Sequence, residues 1–242
     1  MKTKKTSLAL GLMACVLVLN SCDIDDDNNE VVQSSTALVT VYPSTSEGFT
    51  LQLDDSTTII PSNMKTSPFG EKKVRALVNY TVESAVSGKP YNVYVNWIDS
   101  IHTKYPVVSQ GLEDEKVYGN DPIEIVRDWV SVAEDGYLTL RLRTLWGGTS
   151  PHIINLVSEV NKENVYEFDL RQNAQGDTRG KMGDVLIAFD LNSLWTEHPD
   201  KVTIKLNWTS FSGKKSAEFS MKMHSSTTVS NGERVSSSGY VE

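Results

Sequence analysis

From Thr36 onward apolar and polar residues alternate in short runs, the period-two signature of β-strands. The runs Ala37 to Tyr42, Phe49 to Leu53, Thr57 to Ile60, Val74 to Val82 and Val93 to Ile98 are rich in Val, Ile, Thr and Tyr. Turn-forming stretches such as Pro43 to Gly48 and Ser62-Asn63-Met64 separate them, and no window of helical period competes. Five strands in roughly 65 residues predict a small barrel, the size of the five-stranded OB type.

After the polar stretch Ser109 to Lys116 the alternation becomes stricter. Leu138, Leu140 and Leu142 oppose Thr139, Arg141 and Arg143, while Val202, Ile204, Leu206 and Trp208 oppose Thr203, Lys205 and Asn207. Phe219, Met221 and Met223 likewise oppose Ser220 and Lys222. One buried and one wet face per strand predicts antiparallel sheets packed as a sandwich. Strands are expected near 123–133, 137–146, 152–159, 164–170, 184–190, 201–209 and 214–224, with a single helical turn over Leu191 to Glu197. The fold class is therefore all-β: a small OB-like β-barrel over 36–108 followed by an antiparallel β-sandwich over 109–226. Residues 227–242 are Ser, Thr, Asn and Gly with isolated Val, and are read as a disordered tail.

The segment before the strands has a different logic. Lys2, Lys4 and Lys5 precede an uncharged apolar run from Leu8 to Leu19, the form of a secretory signal. Leu19 stands three residues before Cys22 and Ser21 stands directly before it, the lipobox arrangement. Cleavage before Cys22 and acylation of its thiol would remove residues 1–21 and anchor the chain in a membrane, because two or more acyl chains give stable attachment. Residues 22–35 read as an acidic flexible tether. Its opening, Asp23, Asp25, Asp26 and Asp27, resembles the signal some Gram-negative bacteria use to export lipoproteins to the outer surface of the outer membrane. A linker that merely keeps the body soluble is the alternative.

Removing residues 1–21 leaves 20 basic and 31 acidic residues, a net charge of −11. Such a body lacks the basic footprint that nucleic acid demands and the polybasic segment that would hold it to anionic lipid. Cys15 leaves with the signal and Cys22 is the acylation site, so no thiol remains for a disulfide or a cysteine metal site.

The lipobox with its acidic run, the early barrel, and the phrases Asp121-Pro122-Ile123-Glu124-Ile125, Gly136 to Leu140, Tyr166 to Leu170 and Val185 to Leu191 together resemble the NigD-like lipoproteins. The resemblance implies an OB-like amino-terminal domain, a carboxy-terminal β-sandwich and an association with a bacteriocin locus. It brings no catalytic residues to carry over.

Candidate chemistry is sparse. His102, His152, His198 and His224 stand in no metal-ligand spacing and read as structural or surface residues. No serine sits in a nucleophile elbow. Gly176 to Gly183 departs from a phosphate loop, with Gln175 where a glycine is needed and Met182 where Ser or Thr is needed. Acidic pairs such as Asp54-Asp55 and Asp114-Glu115 follow no calcium-loop pattern, and no cofactor is implied. The aromatic group on the last barrel run is more suggestive: Tyr91, Val93, Val95 and Trp97 alternate with Asn92, Tyr94, Asn96 and Ile98. Exposed rings there would stack on sugars or bases beside hydrogen-bonding amides, whereas the favoured, plainer reading packs Tyr91 and Trp97 in the barrel core. Trp129, Trp146 and Trp208 are expected in the sandwich core, and Trp195 at an edge or a partner contact. Tyr91, Tyr94, Trp97 and Trp195 are thus the candidate ligand contacts.

The functional expectation is a non-enzymatic, outer-membrane-anchored and surface-exposed lipoprotein acting as an interaction or ligand-binding module. Its partner would be an envelope protein, a bacteriocin or a glycan. A bacteriocin immunity or protection protein is the first alternative, and a glycan-active enzyme built on fold-assembled carboxylates is the second.

Overall fold

The computed structural model describes residues 34–45, 48–54, 56–84, 91–195 and 198–222. The signal, Cys22, the acidic run Asp23, Asp25, Asp26 and Asp27, and the carboxy-terminal tail with His224 lie outside the described residues.

Five strands form a closed barrel: β1 (Ser34–Thr45), β2 (Gly48–Gln52), β3 (Thr58–Pro61), β4 (Val74–Ser84) and β5 (Tyr91–Ser100), in the order β1-β2-β3-β5-β4. The ring closes through a short parallel pairing of β3 with Tyr91–Val93 of β5, while β4 pairs β5 along its length. Val39, Val41, Leu51, Ile59, Val78 and Val93 fill the interior. The β4–β5 register slips, so that Tyr80 lies opposite Val95 but Asn79 lies opposite Trp97.

The sandwich begins earlier than the sequence pattern places it. The sequence pattern groups residues 102–108 with the barrel, yet β6 (His102–Lys104) pairs with one sandwich sheet and β7 (Val107–Val108) with the other. The single strand expected over 123–133 is two short ones, β8 (Glu124–Ile125) and β9 (Val132–Glu134). Trp129 lies on the loop between them and is 58% exposed, so it is not a core residue. The remaining strands are β10 (Tyr137–Trp146), β11 (Ile153–Ser158), β12 (Glu167–Asn173), β13 (Lys181–Asp190), β14 (Lys201–Ser210) and β15 (Gly213–Lys222). One sheet has the order β6-β13-β10-β8 with β9 also on β10, and the other β15-β14-β12-β11-β7. The long pairings β10–β13, β11–β12 and β14–β15 are antiparallel, while β12–β14 is parallel. Leu138, Leu140 and Leu142 of one sheet meet Leu156, Phe168 and Leu206 of the other in a single core.

The polar stretch after Ser109 holds a short helix, α1 (Asp114–Tyr118), where the sequence suggested only a break. Asp114 is buried and accepts hydrogen bonds from Ser109 Oγ at 2.6 Å and from the Gln110 backbone N–H at 2.5 Å. The expected helical turn after Leu191 is a simple turn closed by the Leu194 N–H on the Leu191 carbonyl at 3.1 Å.

Barrel and sandwich belong to one compact unit. Leu38, Leu77 and Ile101 on the barrel pack against Tyr137, Leu186 and Ala188 on the outer face of the β10–β13 pair. This contact explains why Thr139, expected on a wet face, is fully buried. It also explains the unbroken buried run Leu38 to Val41: those residues are covered by the barrel interior on one side and by the sandwich on the other.

Candidate functional site

The face that best suits a ligand is the outward half of β5. Tyr91 is half-buried against the barrel core, and burial followed by a hydrogen bond with Tyr91 pushes the Tyr80 phenol up to about 12. Val93 and Val95 point inward. Strict alternation would then send Trp97 inward as well, but the register slip at Asn79/Tyr80 makes Asn96 an extra residue, a β-bulge that inverts the sidedness beyond it. Trp97 therefore faces out, 43% exposed, on the same side as Tyr94, 47% exposed. The core reading of Trp97 is overturned by this one-residue insertion.

The two rings flank a row of side-chain amides and hydroxyls. Asn96 Nδ2 donates to Asn79 Oδ1 at 2.8 Å and reaches Thr81 Oγ1 at 3.4 Å. Asn79 Nδ2 donates to Thr36 Oγ1 at 2.9 Å. Hydrogen bonds across β1, β4 and β5 thus fix the row before any ligand arrives, which lowers the ordering cost of binding.

The other end of the same barrel face is occupied by the joint with the sandwich, a cluster the sequence did not reveal. Arg75 of β4 is 1% exposed. Its guanidinium donates to Thr40 Oγ1 of β1 at 2.9 Å and to Thr139 Oγ1 of β10 at 3.3 Å, and it pairs with Glu134. Beside it, Tyr42 donates its hydroxyl to Asp135 at 3.0 Å, and Lys73 Nζ lies 4.7 Å from the Tyr42 ring centre and 5.1 Å from that of Tyr137. Burial, then the Asp135 carboxylate, holds the Tyr42 phenol well above the ordinary range. Tyr137 is raised too, by burial and then by Asp190 and Asp135. Paired charges buried between barrel and sandwich make a structural joint.

In the sandwich, Trp195 lies at the edge of the core, its ring 4.8 Å from Tyr166 and 6.2 Å from Phe168. It borders a cleft of about 350 Å³ shared with Glu159, Lys162, Val165 and Leu194. A separate polar groove of about 450 Å³ runs over β12, β14 and β15, lined by Asp169, Arg171, Asn207, Thr209 and Lys214. Arg171 is already engaged there, donating to Asp169 at 2.9 Å and to the Gly119 carbonyl at 3.4 Å. His152 is buried, stacked on Trp146 with ring centres 4.1 Å apart, and its Nε2 is 3.5 Å from Asp177. The structure does not bring Trp195 together with the β5 aromatics: they sit on different domains.

Among the described residues, Asp54, Glu124, Glu167, Asp177 and Asp184 are each drawn below their ordinary values. Hydrogen bonds from Asn161, Asn207 and Lys205 bring Glu167 to about 2, and those from Arg143 and then Arg141 bring Asp184 to about 2. Acids held ionised in this way are the reverse of a glycosidase general acid, whose value must rise. Among the described residues no group of three or more His, Asp or Glu side chains is placed to hold a metal ion, and no helix is long and apolar enough to cross a membrane.

Residues 38–101 match the NigD-like N-terminal OB domain, and residues 106–221 the NigD-like C-terminal beta sandwich domain. The chain belongs to the NigD-like family. Among solved structures, a Parabacteroides distasonis protein named for a relation to a toxin is 31% identical to this NigD-like chain, with a TM-score of 0.64 and a match covering 78% of this chain and 93% of that one. A protein of unknown function from Bacteroides vulgatus is 21% identical, with a TM-score of 0.62 over 78% of this chain and 90% of that one. A NigD-like immunity protein from Bacteroides caccae is also 21% identical, with a TM-score of 0.54 over 76% and 91% of the two chains. These last two similarities carry the fold alone. No curated protein matches the chain.

Proposed function

We propose that this NigD-like chain is a non-enzymatic recognition module, anchored in the outer membrane through lipidated Cys22 and displayed at the cell surface. The observation that carries the reading is the outward-facing pair Tyr94 and Trp97 on a hydrogen-bonded amide row. Exposed rings on a hydrogen-bonded barrel wall suit binding, while Glu167 and Asp184 are held ionised by their neighbours. The lipobox at Cys22 and the acidic run Asp23, Asp25, Asp26 and Asp27 support the address. Labelled palmitate should enter the wild-type chain and fail to enter Cys22→Ala; equal labelling would sink the anchor. Protease shaving of intact cells should digest the body, whereas protection until the outer membrane is breached would refute surface display.

A second reading, protection against a bacteriocin, is favoured by one finding: the 31% identical Parabacteroides distasonis protein is named for a relation to a toxin. Deletion of the gene should then raise sensitivity to culture supernatants of related strains. Unchanged sensitivity across a broad panel would count against it.

A further inference from the structure

We propose that the outward half of β5 binds an uncharged oligosaccharide, with Tyr94 and Trp97 stacking on successive sugar rings and Asn79, Thr81 and Asn96 meeting the hydroxyls between them. The proposal rests on the recognition-module reading and names its ligand class. Tyr94 and Trp97 are three residues apart, so their Cα atoms stand about 10 Å apart along the strand, slightly less across the bulge. That is the span of a disaccharide. Pyranose rings present apolar C–H faces to an aromatic ring and hydroxyls at their rims. The platform offers the matching arrangement, π-faces at its ends and amides between them.

Charge and topology select against other occupants. The rings, amides and hydroxyls of the platform are neutral, and the charged residues next in line on β4 and β5, the exposed Glu83 and Asp99, are both acidic. With a net charge of −11 on the chain after its signal, nucleic acid and uronic-acid glycans meet repulsion instead of the basic footprint they require. An extended peptide adding as a strand needs free backbone groups along a sheet edge; β5 is paired with β4 along its length and with β3 over Tyr91–Val93, and beyond that the Asn63 amide caps the Val95 N–H and carbonyl at 3.0 and 2.9 Å. The platform lies on β4 and β5, away from the strand 2–strand 3 face that OB barrels ordinarily present to ligands.

The test is titration of the purified mature chain with cellobiose, mannobiose, chitobiose and digalacturonic acid, followed by tryptophan fluorescence and calorimetry. At least one neutral disaccharide should bind and the acidic one should not. Trp97→Ala and Tyr94→Ala should each weaken binding about tenfold or more, the usual range for losing one stacking ring. Leu112→Ala, at a fully exposed position in the turn before α1, should bind as wild type does. Unchanged melting temperatures for the ring variants keep a loss of binding distinct from a loss of fold. No neutral sugar bound at millimolar concentration, preference for digalacturonic acid, or full binding by Trp97→Ala would each overturn the sugar assignment. A photo-crosslinker at position 94 in living cells separates the two levels. Cross-linking to a protein with no sugar binding in vitro would refute the oligosaccharide and leave the module reading standing, whereas neither cross-link nor sugar binding would refute both.

Discussion

Arg75 ties the two domains together, and removing it gives a prediction that can be worked from its contacts. Its guanidinium holds Thr40 of β1, Thr139 of β10 and Glu134 at the end of β9, so one side chain spans barrel and sandwich. Two hydrogen bonds from a charged donor to buried hydroxyls contribute about 1.5 kcal/mol each at the low end of their range. Breaking a fully buried ion pair costs about 3–5 kcal/mol. Glu134, however, is 21% exposed and is rescued in part by water, so its share falls to about 1 kcal/mol. Arg75→Ala should therefore cost about 4 kcal/mol. At about 2–4 °C per kcal/mol for a chain of this size, the melting temperature should fall by about 8–16 °C. The assay is urea and thermal unfolding of wild type, Arg75→Ala, Arg75→Met, Glu134→Gln and the double variant Arg75→Met/Glu134→Gln. Because the Arg75 contacts bridge both domains, the single transition should also begin to split into barrel and sandwich phases. The double variant Arg75→Met/Glu134→Gln should cost about 1 kcal/mol less than the sum of the two single variants, the share carried by the Arg75–Glu134 pair. A cost below about 1 kcal/mol for Arg75→Ala, or strict additivity in the double variant, would refute the joint.

Three further tests address separate parts of the fold. Glu167 is held at about 2 against an ordinary 4.5, so its contribution is fully present above pH 4.5 and is lost as pH falls toward about 2. With Lys205 42% exposed and screened, Glu167→Gln should flatten the acid limb of the stability–pH curve by about 1–2 kcal/mol, and an unchanged limb would count against the Asn161–Asn207–Lys205 network. Gly136 has φ +76° and a Cβ there would run into the Asn192 amide, so Gly136→Ala should cost about 2 kcal/mol in denaturant unfolding. Wild-type stability in that variant would show the turn to be permissive. Asp177 accepts the backbone N–H groups of Gly147 at 3.1 Å and Gly148 at 2.9 Å, and Asp177→Ala should speed hydrogen exchange at those two amides while leaving the β10–β13 pairing protected.

Where sequence reading succeeds and where it stops follows from the range of the interactions involved. Alternation in Leu138, Leu140 and Leu142, or in Val202, Ile204 and Leu206, is set by one sheet's two faces and is visible in a dozen residues. The burial of Thr139 and of Arg75 is not, because both depend on a second domain covering a face that local pattern marks as wet. Short strands such as β6 and β8 escape for a related reason: three or two residues carry no period, and only their long neighbours recruit them.

The candidate site was legible in its residue types and illegible in its orientation. Tyr91, Val93, Val95 and Trp97 form a strict alternation, and by pattern alone Trp97 belongs in the core with the valines. What turns it outward is one extra residue, Asn96, set opposite no partner where β5 passes Asn79 and Tyr80. A slip of one residue exchanges the faces of everything beyond it. Asn96 itself hydrogen-bonds sideways to Asn79, so the residue that makes the bulge also builds the amide row between the two rings. The irregularity that defeats the sequence pattern is thus the feature that assembles the platform, as expected where a binding surface departs from ideal strand geometry.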